Sequence, residues 1–322
     1  MCETNDAMLL NPPYQLNDGG NAASASPIYQ SFVRQAKFIK PAYISMIMPA
    51  KWYSGGKGLD DFRQEMLNDV HIRKIVDFTD SRDCFSTADI AGGVCYFLWD
   101  AKHSGDCEFT NVSGNNRTQC QKKLNEFDTL IRYPLATKII NKVKSFDEST
   151  LSSLVSARKP FGLATNVKPT DTGDLRLRYN GGSGLYNRDD IRAGIDIIDK
   201  WKVMISYLSA EHAGQPDKNG QFRVLSTMEI LEPKAICSET YLIAGSFNEE
   251  SEAENYCGYL KTKFVRFLLN QMALSQHITR AMFAFVPVQD FSKPWTDEEL
   301  YAKYGLNDEE IAFIESTIKP ME

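Results

Sequence analysis

An α/β domain followed by an α+β domain is the organisation predicted for this chain, and three observations predict it. Apolar runs of strand length alternate with amphipathic helical patterns from the start to about Asp106. From about Ser149, glycine and polar clusters separate short β-rich pieces. Beyond Ala253 the pattern is mainly helical. At 322 residues the chain has the length of about two domains.

The elements follow in order. Ala7–Leu10 (AMLL) reads as a short buried strand that stops at two prolines. Residues 26–38 read as a helix, with Ser26 as N-cap, Pro27 at the first helical position and Ile28, Phe32 and Val33 on one face. AYISMIM (42–48) is a second strand, 59–67 a second helix, and HIRKIVDF (71–78) a third strand. Only turn-rich sequence separates it from GVCYFLW (93–99), which predicts an antiparallel pair at the edge of an otherwise parallel sheet. The first domain is taken as residues 1–110. A bridge over 111–148 starts polar (NVSGNNRTQ) and ends in a helix at 133–144. The second domain spans 149–295, with strands at 202–208 and 241–243 and a helix over 253–269. A helical tail covers 296–322.

The composition, 43% hydrophobic and 24% charged, is that of a globular chain and excludes a disordered or collagen-like one. No stretch approaches the ~20 apolar residues of a membrane span, and the start lacks a secretory pattern, so a cytoplasmic protein without a membrane partner is expected. The seven cysteines form no CxxC pair and read as reduced thiols. His103, Cys107 and Cys120 are irregularly spaced and lack a fourth ligand, so no metal site is expected.

Asn11-Pro12-Pro13-Tyr14 carries the most chemistry. It stands where a strand ends, the place where open α/β sheets bind ligands. Two prolines remove two backbone donors and stiffen the loop, leaving carbonyl oxygens to face a ligand. The Asn11 side chain adds an acceptor and the Tyr14 ring a flat stacking surface. Two acceptors beside an aromatic face suit a planar exocyclic amine. Drawing its hydrogens toward Asn11 and the Pro12 carbonyl shifts electron density onto a nitrogen that is otherwise a poor nucleophile.

A strand ending in NPPY resembles the catalytic motif of S-adenosylmethionine-dependent N6-adenine DNA methyltransferases. The segment Pro49–Leu59 with Phe62 and Arg63 looks like the one following the next strand in the large type II and helicase-linked restriction-modification methylases. Asp83-Cys84-Phe85 leading into Ile90–Leu98 looks like their later motif, whose aromatic residue packs on the flipped base. The resemblance implies that the target adenine is flipped out of the duplex. Tyr14 and Phe85 would sandwich it, Asn11 and Pro12 would hold its amine, and Asn11 would also face the cofactor. Lys51, Trp52 and Lys57 are candidates for DNA contact beside the site. NPPY also marks methyltransferases acting on protein glutamine and on ribosomal RNA bases, and those readings stay open.

The second half has its own resemblance. SARKPFGLATN (156–166), YLIAG (241–245), YLKTKFVRFL (259–268) and FVPV (285–288) look like a target-recognition domain, of a kind also found in type I specificity subunits. Charge agrees with that placement. The chain totals -6, yet segment 110–192 holds 14 Lys+Arg against 8 Asp+Glu, a basic middle where a duplex would lie. Arg158, Lys159, Arg176, Arg178, Arg188 and Arg192 are the DNA-binding candidates. Asp217, Glu232 and Lys234 fit a loose nuclease pattern of a kind that arises easily by chance.

The resemblance also implies a glycine-rich turn after a strand, to cradle S-adenosylmethionine. Only ten residues precede Asn11; Gly181–Gly184 opens no helix, and Gly245-Ser246-Phe247 lacks the pattern. The expected fold is therefore the C-terminal part of a Rossmann-like methyltransferase sheet, then an α+β target-recognition domain with a helical tail. The cofactor-binding front is expected from a separate segment or partner subunit, and an exposed edge at Ala7–Leu10 predicts self-association or docking of that front. Double-stranded DNA and a nuclease or helicase are the other expected partners. The alternative from a different class is a non-catalytic DNA-binding specificity module.

Overall fold

The structure, a computed structural model, describes residues 6–16, 26–56, 58–87, 90–210, 216–273 and 277–321. The chain divides into two units: Met1–Pro134 with 213–215, and 135–212 with 216–322.

The first unit is built on a six-stranded mixed sheet. Its elements are β1 (Ala7–Leu10), α1 (Tyr29–Phe38), β2 (Tyr43–Pro49), α2 (Asp60–Leu67), β3 (Ile72–Phe78), β4 (Val94–Asp100), β5 (Cys107–Ser113) and β6 (Asn116–Lys122). The strand order is β1-β2-β4-β3-β5-β6. β1 runs parallel to β2 and β3 parallel to β5. β4 is antiparallel to both β2 and β3. The expected antiparallel pairing of the third and fourth strands is present, but β4 lies inside the sheet and not at its edge. A strand reached without a crossover helix must run antiparallel, and here it fills the slot left between β2 and β3.

Alternation sorts the sheet into two unlike faces. Ile44, Met46, Met48, Ile75, Phe97 and Phe109 are at most 1% exposed. α1 packs beside β2 and buries Tyr29, Val33 and Ala36, while α2 buries Phe62, Met66 and Leu67, with Phe62 edge-on to Tyr29 at 6.0 Å and to Trp52 at 6.1 Å. The opposite face is open at several apolar positions: Leu9 is 85% exposed, and Tyr43 and Tyr96 are exposed as well.

Two local expectations change. Helix α1 starts at Tyr29 with no side-chain cap. Ser26 is not the cap, because Pro27 pairs in a bridge with Gln15 and the Ser26 carbonyl accepts from Leu16 N–H at 3.2 Å. The buried stripe shifts accordingly, and Phe32 is exposed. The polar stretch expected to open a bridge at 111 instead continues the sheet as β5 and β6. β6 is polar because it is an outer, mostly exposed strand.

The second unit contains α3 (Pro134–Lys144), β7 (Leu175–Tyr179), β8 (Gly182–Tyr186), β9 (Trp201–Ser206), β10 (Met228–Leu231), β11 (Ala235–Cys237), β12 (Tyr241–Phe247), α4 (Glu250–Lys261), α5 (Lys263–Asn270), α6 (Asp297–Lys303) and α7 (Asp308–Thr317). Two three-stranded sheets, β10-β9-β12 and β11-β7-β8, share a core of Phe161, Leu177, Ile198, Met204, Ile236 and Ile243. The single helix expected over 253–269 is two. The chain breaks at Thr262, whose hydroxyl accepts from Val265 N–H at 3.3 Å and starts α5. Among the described residues no helix is long and apolar enough to cross a membrane.

Candidate active site

The parallel strands β1, β2 and β3 end on one edge of the first sheet, and antiparallel β4 begins there. Asn11–Tyr14 therefore leaves β1 at the carboxyl edge, beside the turns that follow β2 and β3. Asn11 and Pro13 are exposed, Pro12 is buried, and Tyr14 is half-buried. The buried proline anchors the loop, so the Asn11 amide stands outward on a stiff backbone. The Tyr14 carbonyl accepts from Ile28 N–H at 3.2 Å, which ties the loop to the start of α1.

The Tyr14 hydroxyl is pushed up to about 12, chiefly by burial and then by the nearby thiols of Cys84 and Cys95. Phe85 is half-buried at the end of a tight turn whose parts are held from several sides. Its N–H donates to the Ser81 carbonyl at 2.7 Å, Ser81 Oγ accepts from Ile90 N–H at 2.9 Å, and Asp83 Oδ2 accepts from Gly114 N–H at 2.7 Å.

The other candidates divide. Trp52 is fully buried, edge-on to Tyr53 at 4.8 Å and to Phe62 at 6.1 Å. It is a core residue and leaves the set of DNA contacts, because its indole faces no solvent. Lys51 is half-buried, and Lys57 lies outside the described residues. In the second unit, Arg158 and Lys159 are exposed but share Glu239 Oε2 at 3.4 and 3.5 Å, with Arg158 4.9 Å over the Tyr207 ring. Arg178 pairs with Glu229 at 3.0 Å and covers Tyr241. Arg188 is held between Asp174 at 3.1 Å and Asp199 at 2.7 Å. Arg192 turns back on the Asp189 and Ile191 carbonyls. Arg176 stands exposed on β7.

Asp217, one member of the loose nuclease pattern, caps its own turn by accepting from Asn219 and Gln221 N–H groups. Among the described residues no group of three His, Cys, Asp or Glu is placed to hold a metal ion.

A cofactor cradle needs a glycine turn between a strand and a helix. Gly181 lies in the turn joining β7 to β8, Gly182 and Gly184 lie within β8, and Gly245 sits inside β12 at a register shift. These residues do not fit S-adenosylmethionine.

Sequence reading missed one buried polar cluster beneath this edge, formed by Asp77, Asn111, Arg132 and Tyr53. The signal was an aspartate inside an otherwise apolar strand pattern, Ile75-Val76-Asp77-Phe78.

The family profile that matches this chain falls within the first unit. A sequence profile described as Eco57I restriction-modification methylase matches residues 6–85. An "Uncharacterized adenine-specific methylase" of Mycoplasma pneumoniae (strain ATCC 29342 / M129 / Subtype 1) is 31% identical over 172 residues, 48% of this chain and 40% of that one. The chain thus spans well under half the length of this curated relative. Among solved structures, the type IIL restriction-modification enzyme MmeI in complex with DNA aligns over 87% of this chain and 46% of its own at 11% identity, with a TM-score of 0.46. The type IIG restriction endonuclease BpuSI aligns over 82% and 42% at 11% identity, with a TM-score of 0.32. Neither score is high enough to establish a shared whole-chain fold. The motif resemblance and the sequence matches agree: the chain is similar to an adenine-specific methylase, and its residues 6–85 to restriction-modification methylases.

Proposed function

We propose that this chain supplies the adenine-holding wall of an N6-adenine DNA methyltransferase of a restriction-modification system, together with a surface that reads its duplex. The observation that carries the reading is the Asn11–Tyr14 loop at the carboxyl edge of β1, with Pro12 buried, Asn11 exposed and Tyr14 half-buried. In this reading Asn11 and the Pro12 carbonyl accept the two hydrogens of a flipped adenine amine. Tyr14 and Phe85 stack on its faces. S-adenosylmethionine would supply the methyl group when bound.

The same reading assigns the cofactor cradle to a further segment or a partner chain. Two features support this. β1 ends the strand order with Leu9 85% exposed, and the sheet face bearing Leu9, Tyr43 and Tyr96 is exposed at those positions on β1, β2 and β4, while its opposite face is packed. A cradle segment that adds a strand to β1 and lays helices over this face would complete a doubly wound sheet. The second unit is then the duplex-reading part, with exposed Arg176 its best-placed contact.

The test is methyl transfer to adenine in duplex DNA, measured with labelled S-adenosylmethionine for the chain alone and with the cradle segment added. Transfer to N6 of adenine only on addition supports the reading. Duplex binding with no transfer in either mixture would favour the non-catalytic specificity module. Transfer to a glutamine peptide or to RNA, and none to DNA, would favour the other NPPY chemistries.

A further inference from the structure

We propose that Arg132 is a positioning residue for the loop that carries Phe85, acting through Asp77 and the Gly92 carbonyl; this rests on the methyltransferase reading. Along the packed face of the first sheet, Met48, Cys95, Asp77 and Asn111 stand opposite one another in register. Asp77 is fully buried there. Asn111 Nδ2 donates to Asp77 Oδ2 at 2.6 Å and to Thr79 Oγ1 at 3.0 Å. Arg132 Nη2 lies 3.3 Å from Asp77 Oδ1 and donates to the Gly92 carbonyl. Its guanidinium covers the Tyr53 ring at 5.3 Å.

The segment around Arg132 touches three places at the carboxyl edge: the turn after β2, the residue after β3 and the residues before β4. The Tyr53 carbonyl, after β2, accepts from Leu130 N–H at 3.1 Å and from Thr129 Oγ1 at 2.6 Å. Thr79, after β3, has its Oγ1 3.4 Å from the Tyr133 hydroxyl. Gly92 precedes β4. From Gly92 a hydrogen-bonded path leads to Phe85: Gly93 N–H donates to the Ile90 carbonyl at 2.9 Å, Ile90 N–H to Ser81 Oγ at 2.9 Å, and Phe85 N–H to the Ser81 carbonyl at 2.7 Å. Arg132 thus fixes one end of a chain of contacts whose other end is the proposed base platform.

Energetics favour a positioning role. A buried ion pair returns little net stability over an apolar pair of similar volume, so its value lies in the geometry it imposes. Burial pushes the Asp77 carboxyl up, and Arg132 is the strongest force holding it down. A planar guanidinium can meet a carboxylate and a carbonyl at once; an ammonium meets them only as a point charge.

The test uses the full chain with its cradle segment. Asp77→Leu/Arg132→Met removes both charges together, which keeps the fold intact while freeing Gly92. Arg132→Lys keeps the charge. The expected result for the double variant is faster amide exchange at Phe85 and Gly93, a kcat lower by about 100-fold, and a KM for duplex DNA within about twofold of the parent. Arg132→Lys is expected to restore part of the kcat. Unchanged exchange at Phe85 and Gly93, or unchanged kcat in a double variant with the parent's thermal stability, overturns the proposal. The exchange measurement decides the positioning role even if the parent enzyme transfers no methyl group to adenine, an outcome that would defeat the methyltransferase reading instead.

Discussion

A Cβ placed on Gly93 would lie 2.1 Å from the Phe78 carbonyl oxygen. Gly93 also has a φ of +78°, which L side chains rarely adopt. The two constraints have one origin: the chain must turn tightly out of the loop after β3 and into β4, directly against the β3 backbone. Gly93→Ala is expected to lower stability by at least about 2 kcal/mol. Gly114→Ala is the control, since Gly114 has φ +56° but open space around it, and only the backbone strain of about 1 kcal/mol applies. Urea unfolding of the two variants checks the difference; equal losses would mean that the Phe78 carbonyl yields.

Asn11 and Tyr14 have separable roles. Asn11→Ala removes an acceptor for the amine, and methyl transfer is expected to fall by about 100-fold to 1000-fold with duplex affinity unchanged. Tyr14→Phe keeps the stacking ring and is expected to be mild, whereas Tyr14→Ala is expected to be severe. The raised pKa of the Tyr14 hydroxyl, about 12, keeps it protonated throughout the working range. Tyr14→Phe should therefore leave the pH–rate profile unchanged up to pH 10. A lost alkaline limb in that variant would make Tyr14 a base and not a platform.

What was legible from residues was what is local. The alternation of apolar runs gave the boundaries of β1 to β4 to within a residue or two, and NPPY stopping the first strand put the loop at a sheet edge. The position of β4 between β2 and β3 was not legible, because strand order depends on pairing between distant segments. Polarity misled at 111–122, since an outer strand facing water looks like a loop. Arg132 and Asp77 lie far apart in the chain, and nothing near either one announces the other. Trp52 beside a lysine read as a surface aromatic, but the adjacent Tyr53 and the later Phe62 enclose it.

The basic middle of the chain is less free than its charge count suggests. Arg188 is held by two carboxylates and Arg178 by one, so their charges are largely spent inside the second unit. Arg176 is exposed on the neighbouring position of β7. Arg176→Ala is expected to weaken duplex binding by about 10-fold and to reduce the dependence of affinity on salt. Arg188→Ala is expected to leave that salt dependence unchanged and to loosen the 188–199 segment. Titrations across a salt series distinguish the two, and an unaltered slope in Arg176→Ala would remove it from the interface.

The open face of the first sheet carries its own prediction. Leu9 is 85% exposed on the terminal strand, and Tyr43 stands exposed on β2 opposite Ala7. Such an edge associates with whatever strand is available. Leu9→Lys is expected to reduce self-association of the full chain in sedimentation velocity, because a lysine on an edge strand opposes strand addition. The same substitution should weaken capture of the cradle segment. An unchanged sedimentation profile at every concentration would place the association surface elsewhere.

Lys202 gives the second unit an unusual response to alkali. Its side chain is fully buried on β9, and its ammonium donates to the Ile198 carbonyl at 2.8 Å and the Lys200 carbonyl at 2.5 Å. Burial lowers its pKa to about 8 from an ordinary value near 10.5. Between these two values the unfolded chain binds a proton that the folded chain has released. The contribution of Lys202 to stability then rises with pH across that window, where the unfolded state holds more protons. Buried tyrosines such as Tyr256, whose pKa burial raises, act in the opposite sense once pH exceeds their unfolded value near 10. Buried thiols act in that sense too, from an unfolded value of about 8.5: burial pushes Cys95 and Cys107 up to about 12 and raises Cys237 as well. Lys202 is therefore read as a difference: across pH 8 to 10 the thermal stability of Lys202→Met is expected to fall more steeply than the parent's, from a lower starting value, since the Ile198 and Lys200 carbonyls lose their donor. Equal slopes in the two proteins would show that Lys202 stays charged inside the fold, its ammonium fully solvated by those carbonyls.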